Sequence, residues 1–181
     1  MRVELRQARP DDAQAIACIE VETWHTTYAG MLADRALLAM SPHRQAHMWS
    51  AALRLSPGDI WVAEDQQDGL LGFGYCGPQR DRSLPFDGEI YMLYVLPDAQ
   101  GMGIGRALLQ RLFARLAECR LRSALIWVLR VNPSRFFYER LGGKLACQRQ
   151  IPFGGEAVPA LGYGWVDLVA VPLPPRKSSA R

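Results

Sequence analysis

The hydrophobic residues of this chain follow two spacings, and their alternation predicts a mixed α/β fold. Apolar positions three or four apart are typical of helices with one buried face, whereas short apolar runs bounded by Gly, Pro or Asp are typical of strands. The predicted elements, in chain order, are a strand at 3–6, a helix from Asp11 to about Thr27, helical segments within 34–55 broken at Ser41–Pro42, strands at 60–63, 70–75 and 89–96, a helix from Gly103 to about Glu118, a strand at 124–129, a short helix from Asn132 to Leu141, and two strands within 145–170.

The length and composition bound the class of protein. A chain of 181 residues with 49% hydrophobic content can form one domain with a full core, which we predict to span 1–171. The segment 172–181 is rich in proline and basic residues and is expected to be disordered. The formal net charge is +3, and Arg176, Lys177 and Arg181 of this tail supply three positive charges, so no nucleic-acid partner is predicted.

The cysteines and histidines indicate neither disulfides nor a metal site. The four cysteines are scattered without a CxxC motif, and the sequence has no signal peptide and no apolar stretch of roughly 20 residues that could span a membrane. We therefore expect reduced thiols in a cytoplasmic protein. His43 and His47 lie one helical turn apart, but HRQAH lacks the glutamate of HExxH and no third ligand is evident.

The first candidate for chemistry is the segment VLPDAQGMGIGRALL at 95–109, which reads as strand, glycine-rich turn and helix. Gly101, Gly103 and Gly105 allow a tight loop whose backbone N–H groups point the same way as the helix N-terminus, an arrangement that binds anions such as phosphate. A P-loop would need Lys and Ser or Thr after the last glycine, and a dinucleotide fingerprint would need a further glycine where this chain has Arg or Leu. The residues alone leave two interpretations: a phosphate-binding loop, or a tight turn that binds nothing.

Two separated motifs resemble those of the GCN5-related N-acetyltransferase (GNAT) family. Gln100, Gly103 and Gly105 form Q-x-x-G-x-G directly after a strand, which is similar to the acyl-CoA pyrophosphate loop of that family, and FYERLG at 137–142 resembles its F-Y-E-x-L-G helix motif. The resemblance covers 3–170 and implies the GNAT fold: a mixed, mostly antiparallel central sheet flanked by helices, with a splayed parallel strand pair at the cofactor site. It also implies direct transfer of an acetyl group from acetyl-CoA, the co-substrate, to a primary amine, without a metal.

The same resemblance assigns the cofactor to one strand and one loop. The pantetheine of acetyl-CoA is expected to lie in the gap between the strands at 89–96 and 124–129. The implied cofactor-binding residues are Leu93, Tyr94, Val95, Gln100, Gly101, Met102, Gly103, Ile104, Gly105, Arg106 and Asn132. Asn132 stands six residues before Tyr138, one fewer than the common family spacing, so it can instead serve only as a helix cap.

Two catalytic roles follow from the resemblance. The register from Glu89 to Gln100 matches the histone-acetyltransferase branch, in which the strand glutamate is the general base, and Tyr138 takes the place of the tyrosine that protonates the departing CoA thiolate. A carboxylate near the start of a central strand is poorly solvated, which suits proton transfer. Each role has an alternative that stays open. Glu89 can instead be exposed at a strand end, and Tyr138 can instead be only a core aromatic.

The sequence gives less evidence for the acceptor-binding part of the predicted site than for the cofactor-binding part. Trp24 and Tyr28, four apart on one helical face, are either core aromatics or walls of an acceptor pocket. Loops at 29–42 and 77–88 are expected to select the acceptor, a small-molecule or peptide amine. The terminal strands offer a sheet edge through which a homodimer can form. The same motifs are compatible with two other functions. One is a non-catalytic acyl-CoA-binding sensor or interaction module, and the other is a nucleotide-phosphate binder.

Overall fold

Seven strands form one mixed sheet in the computed structural model, which describes residues 2–56 and 58–171. The strands are β1 (Val3–Gln7), β2 (Ile60–Asp65), β3 (Gly69–Pro78), β4 (Gly88–Val95), β5 (Ala124–Leu129), β6 (Lys144–Phe153) and β7 (Glu156–Trp165). The helices are α1 (Ala13–Tyr28), α2 (Asp34–Leu38), α3 (Pro42–Leu55), α4 (Ile104–Glu118) and α5 (Arg135–Arg140), with 3₁₀ turns at Pro10–Asp12 and Pro97–Ala99. The tail at 172–181, predicted to be disordered, lies outside the described residues.

The strand order is β1-β2-β3-β4-β5-β7-β6, and every neighbouring pair is antiparallel except β4 and β5. The predicted fold class is therefore confirmed: a mostly antiparallel sheet with one parallel pair, flanked by helices. α4 connects the two parallel strands, as the strand, helix, strand order predicts. Within 2–56 and 58–171, no helix combines the length and apolar character needed to cross a membrane.

Different helices cover the two faces of the sheet. On one face, α4 packs through the fully buried Leu109 and Leu112. It comes close to β3 because Gly74 has no side chain, and a Cβ there would lie 2.6 Å from the Leu112 side chain. On the other face, α1 and α3 pack against the sheet, and the rings of Trp49 and Phe73 meet edge to face with centroids 5.0 Å apart. Both faces are thus apolar and covered.

Three element boundaries differ from the sequence prediction. β3 is longer than predicted because its last three residues pair with the first three of β4. β7 ends at Trp165, earlier than predicted, because the Asp167 carboxylate accepts two backbone N–H groups and turns the chain. α5 begins at Arg135 rather than at Asn132, because the Asn132 amide oxygen accepts the N–H of Ser134 at 2.8 Å and forms a turn before the helix.

β4 and β5 separate part-way along their length. They pair only at Gly88↔Ala124, Glu89↔Leu125 and Ile90↔Ile126, so residues 91–95 of β4 face no neighbouring strand on that side. At the same place Tyr91 has no partner in β3, which makes it a β-bulge. Bulges bend a strand and interrupt its pairing, and they are frequent next to active sites. The opening, called here the β4–β5 gap, is the splay that the resemblance implied.

Candidate active site

The loop between β4 and α4 presents a row of backbone N–H groups. Gly101 and Gly103 have φ angles of 77° and 84°, left-handed conformations that favour glycine. The N–H of Ala107 bonds the Gly103 carbonyl at 3.0 Å, and no acceptor in the described chain takes the N–H groups of 101–106. A Cβ on Gly101 or Gly103 would meet nothing within 4 Å, so the face of the loop is open. Free amides at a helix N-terminus form an anion-binding nest.

Neighbouring side chains fix this loop in place. Gln100 donates its amide N–H to the Val95 carbonyl at 3.1 Å, which ties the loop to the end of β4. Ile104 is buried beneath the loop, whereas Met102 is exposed. The Phe137 ring of α5 lies 3.5 Å from where a Gly105 Cβ would stand, so α5 packs beside the start of α4. Arg106, in the first turn of α4, is half-buried.

The end of β4 leads directly from the gap to the loop. Leu93 and Val95 pack towards α4, and Tyr94 packs towards α1. All three pair with β3 on one edge, while their other edge lines the β4–β5 gap. The structure therefore brings the predicted cofactor-binding residues of 93–106 into one continuous strip. Asn132 lies apart from this strip, in the turn before α5.

Tyr138 projects from α5 into the core and is 5% exposed. Its ring lies 6.4 Å, centroid to centroid, from both Tyr163 and Trp165, and no described residue bonds its hydroxyl. Burial, and to a smaller degree the nearby Tyr28, raises the pKa of Tyr138 well above its ordinary value of about 10. The phenol is therefore protonated at neutral pH, which is the state that a general acid needs.

Glu89 is buried at the start of β4 and is 1% exposed, so the exposed alternative is wrong. Arg80, in the loop after β3, holds its carboxylate: the Arg80 backbone N–H and Nε bond Oε2 at 3.2 and 3.1 Å, and Nη2 bonds Oε1. The hydrogen bond to Glu89 is the main reason why the pKa of Arg80 is raised. The guanidinium also lies over the Tyr91 ring, 4.5 Å from its centroid. A general-base role for this paired carboxylate stays a prediction.

Trp24 joins α1 to β4 and β6. Its indole N–H donates to the Tyr94 hydroxyl at 2.8 Å, and its ring stacks on Phe153 with centroids 5.0 Å apart. Tyr28 lies one turn further along α1, with its ring centroid 4.9 Å from that of Trp24. The two residues are in contact, as their spacing predicts, and their role as an acceptor wall stays a prediction.

Tyr28 and Asn132 connect α1 to the turn before α5. The Asn132 Nδ2 donates to the Tyr28 hydroxyl at 2.7 Å, and both side chains are buried. Burial raises the pKa of Tyr28 to about 12. Because the Asn132 amide bonds Tyr28 and Ser134, it caps the turn before α5 and also anchors α1. A contact between Asn132 and the cofactor stays a prediction.

Several contacts at the site were not predicted from the sequence. They are the ion pair of Arg80 with Glu89, the stacking of Phe153 on Trp24, the bond between Asn132 and Tyr28, and a buried Glu20 that accepts the Trp49 indole N–H at 2.8 Å. Each joins separate elements, so no local spacing signals it. Among the described residues no group of three or more metal-ligating side chains comes together.

A groove of about 440 Å³ lies elsewhere, between α2 and α3. It is lined by Ala36, Met40, Ser41, Arg44, Gln45 and Met48 among others. Part of its lining, including Ala36, Met40 and Ser41, belongs to the segment 29–42 that is expected to select the acceptor, and none of it belongs to the predicted cofactor-binding or catalytic residues. The β4–β5 gap, in contrast, is a slot between strands.

Comparison with known proteins tests the resemblance. The family model described as "Acetyltransferase (GNAT) domain" matches residues 56–142, which include β4, the glycine loop, α4 and α5. The uncharacterized N-acetyltransferase YuaI of Bacillus subtilis is 30% identical over 169 residues, covering 93% of this chain and 96% of that protein. The chain belongs to the GNAT family.

Other comparisons extend this result. A mycothiol acetyltransferase of Actinosynnema mirum is 33% identical to this GNAT protein over 135 residues, covering 74% of the chain but 41% of the mycothiol enzyme, so the chain spans less than half of that relative. The structure of PaiA N-acetyltransferase from Thermoplasma acidophilum in complex with coenzyme A superposes with a TM-score of 0.65 at 21% identity, over 88% of this chain and 98% of that one. The protein is an acyl-CoA-dependent N-acetyltransferase that uses acetyl-CoA as acyl donor and an amine as acceptor.

Proposed function

We propose that this N-acetyltransferase holds acetyl-CoA in the β4–β5 gap and on the glycine loop, and that Tyr138 protonates the departing CoA thiolate. The observation that carries the proposal is the unpaired row of N–H groups at 101–106, which lies at the end of the strand that opens the gap. The pyrophosphate of CoA fits this row because free amides and the positive end of a helix dipole stabilise an anion. Arg106 adds a positive charge in the same helical turn.

The unpaired edge of β4 suits the pantetheine arm. Peptide groups at 93–95 that face the gap need partners, and the amides of pantetheine can pair with them as a further strand would. This arrangement lays the arm along the open edge of β4, with the thioester beside residues 93–95. One N–H near Val95 then serves as the oxyanion donor, an interaction whose loss costs about 3 kcal/mol in related chemistry.

The reaction we propose is a direct transfer. The amine nitrogen attacks the thioester carbon, an N–H of β4 stabilises the resulting oxyanion, and the C–S bond then breaks with its electron pair on sulfur. The sulfur takes the proton of Tyr138, and the proton that the amine loses passes to Glu89 or to water. Arg80 occupies three of the roughly four acceptor sites of the Glu89 carboxylate, so direct transfer to Glu89 uses the remaining site on Oε1 or displaces an Arg80 bond.

We propose that the acceptor reaches the gap from the face of the sheet that α1 covers. Trp24, Phe153 and the Arg80 loop border this face, which supports an acceptor with an apolar part beside its amine. Both a small-molecule amine and a peptide amine meet this description. The cytoplasmic location and the homodimer stay predictions, and light scattering on the full chain tests the dimer.

The experiment for the proposed function measures release of free CoA thiol from acetyl-CoA with a panel of amines, together with mass spectrometry of the amine product. We expect equal amounts of CoA and acetylated amine. If acetyl-CoA binds but no amine gives CoA, the protein is instead an acyl-CoA-binding sensor or interaction module. If ATP or NAD stabilises the fold and acetyl-CoA does not, a nucleotide binder is indicated, because a ligand raises the melting temperature of the state it binds.

A further inference from the structure

Three tyrosines come from elements around the β4–β5 gap: Tyr94 belongs to β4, Tyr28 packs in one cluster with Leu129 of β5, and Tyr138 belongs to α5. The contacts of Tyr28 and Tyr94 show which hydrogen bonds their oxygens accept. A phenol offers one O–H donor and two acceptor sites. The Tyr94 oxygen accepts the Trp24 indole N–H, which is a donor only, so the Tyr94 proton must point elsewhere. Tyr28 accepts an N–H from Asn132 in the same way. Tyr138 has no bond to a described residue. These three hydroxyls are called here the hydroxyl cluster.

The direction of the bond between Asn132 and Tyr28 is fixed by a third group. The Asn132 oxygen accepts the backbone N–H of Ser134 at 2.8 Å, and a backbone N–H can only donate. The NH₂ group of the same amide must therefore face Tyr28, and a flipped amide would place two donors against each other. The Tyr28 oxygen is held as an acceptor, and its own proton finds no acceptor in the described chain.

Trp24 links two members of the hydroxyl cluster: its ring centroid lies 4.9 Å from that of Tyr28, and its indole N–H bonds the Tyr94 hydroxyl at 2.8 Å. Burial is the main reason that the pKa values of Tyr94 and Tyr138 are raised; nearby Glu20 and Tyr28 add to the rise at Tyr94, and Tyr28 adds to the rise at Tyr138. Tyr28 is 5% exposed, so solvent contributes little to satisfying its proton. A buried donor without a partner is costly unless a ligand supplies the acceptor.

We propose that Tyr28 is a second donor to the sulfur of the bound thioester, and that Asn132 is the positioning residue that turns the Tyr28 proton towards it. This proposal rests on the proposed function, because it places the thioester in the β4–β5 gap. In this proposal the Asn132 side chain bonds Tyr28 and Ser134 and does not contact the cofactor.

The chemical role of Tyr28 is a hydrogen bond that strengthens as charge develops. When the amine nitrogen bonds the acyl carbon and the C–S bond breaks, the electron pair moves to sulfur, which takes the proton of Tyr138. Tyr28 keeps its proton and donates a hydrogen bond to the same sulfur. The amine gives its proton to Glu89 or to water, and the Tyr138 phenolate later regains a proton. These two steps balance each other. A hydrogen bond to a charged group is stronger than one to a neutral group, so Tyr28 favours the departure of the thiolate.

Two variants test the proposal. Tyr28→Phe removes the donor and keeps the ring, and we expect kcat to fall by about 10- to 100-fold with a smaller loss of affinity for acetyl-CoA, because the bond to the neutral thioester sulfur is weaker than the bond to the developing thiolate. Asn132→Asp keeps an oxygen for the Ser134 N–H but places a second carboxylate oxygen against Tyr28. The Tyr28 proton then bonds that carboxylate and no longer points towards the thioester sulfur. We expect Asn132→Asp to lose as much kcat as Tyr28→Phe although it retains the hydroxyl, and we expect the double variant to lose no more than either alone.

The control is Tyr75→Phe, which removes a phenol that donates to the Ser56 hydroxyl at 3.3 Å outside the hydroxyl cluster. We expect kcat to be unchanged. Wild-type kcat in Tyr28→Phe would overturn the proposal, and so would full additivity of the two substitutions. Thermal unfolding and acetyl-CoA titration of every variant separate a folding defect from a loss of the donor.

A second readout does not depend on turnover. The ultraviolet absorbance of the thiolate reports the pKa of CoA bound to the protein, and we expect this pKa to be about one unit lower in the wild type than in Tyr28→Phe. Equal values in the two proteins would overturn the proposal. If the wild type releases no CoA with any amine, the proposed function fails on that result, and the thiol titration still decides the role of Tyr28.

Discussion

The part of the site proposed to bind the cofactor, called here the cofactor half, and the part proposed to bind the acceptor, called here the acceptor half, are built in different ways. The cofactor half is one continuous stretch, 93–106, that runs from the open edge of β4 through the glycine loop into α4. The acceptor half is assembled from distant segments: the Trp24–Tyr94 bond joins residues 70 positions apart, and the Asn132–Tyr28 bond joins residues 104 positions apart. Local backbone geometry therefore creates the first half, whereas tertiary packing creates the second.

The largest effect is expected at Tyr138, the proposed general acid. Tyr138→Phe removes the proton that the CoA thiolate needs, so kcat should fall by about 10²- to 10⁴-fold. The affinity for acetyl-CoA should not change, because the loop and the gap are untouched. Steady-state kinetics and calorimetry on the same preparation check both parts. Unchanged turnover would remove Tyr138 from the mechanism.

A glycine substitution tests whether the cofactor half depends on local backbone geometry. Gly103 has a φ of 84°, and an alanine in this left-handed region is strained by about 1–2 kcal/mol. We expect Gly103→Ala to relax the loop, turn its N–H groups away and weaken acetyl-CoA binding by about tenfold.

The matched control is Gly69→Ala, at the first residue of β3. Gly69 has a φ of 75°, and a Cβ there would also meet nothing within 4 Å. This variant should show a similar loss of stability with wild-type affinity for acetyl-CoA. If both variants bound acetyl-CoA as the wild type does, the loop would not be the phosphate site.

High pH tests the buried phenols of the hydroxyl cluster. In the unfolded chain tyrosines ionise near pH 10, whereas burial raises the pKa of Tyr28 to about 12 and those of Tyr94 and Tyr138 further. Between pH 10 and the higher pKa values of the folded state, the folded chain therefore binds more protons than the unfolded chain. The stabilisation is complete below about pH 10 and is lost as the pH rises through the folded pKa, by up to about 1.4 kcal/mol per pH unit for each phenol.

Urea unfolding midpoints measured across this range report the effect. Tyr28→Phe should lose stability less steeply than the wild type above about pH 10, because one phenol fewer ionises on unfolding. An identical pH dependence in the two proteins would mean that Tyr28 is not buried as described.

The smallest effect is expected on the acceptor side. Trp24→Phe keeps an aromatic ring against Phe153 but removes the N–H that bonds Tyr94. A net loss of about 1 kcal/mol corresponds to a roughly fivefold higher KM for the amine, with unchanged affinity for acetyl-CoA. A variant that weakened acetyl-CoA binding instead would place Trp24 in the cofactor half.

The sequence predicts the strand, glycine loop and helix of 93–118 well because its signals there are local. Glycines at 101 and 103 permit the left-handed backbone that the loop adopts, and the apolar run before them and the helical spacing after them define strand and helix. The parallel pair follows from the strand, helix, strand order. The gap itself depends on the bulge at Tyr91, which no residue type in β4 signals.

The side-chain contacts around Trp24, Tyr28 and Glu89 were predicted less completely, for a physical reason. The pairing of Trp24 with Tyr28 follows from helical spacing, but the partners of each side chain come from other elements. Arg80 was evident only as a loop residue, and nothing local indicates that its guanidinium reaches Glu89. The Asn132 turn shows the same limit: Asn–Pro indicated a helix start, and the amide instead holds a turn and Tyr28.

Calorimetric titration of the full chain with acetyl-CoA tests the central claim most directly, with the Gly103→Ala and Gly69→Ala variants alongside. We predict binding of one acetyl-CoA per chain, about tenfold weaker for Gly103→Ala and unchanged for Gly69→Ala. A correctly folded chain that gives no heat of binding with acetyl-CoA would contradict the assignment of the glycine loop and the β4–β5 gap to the cofactor.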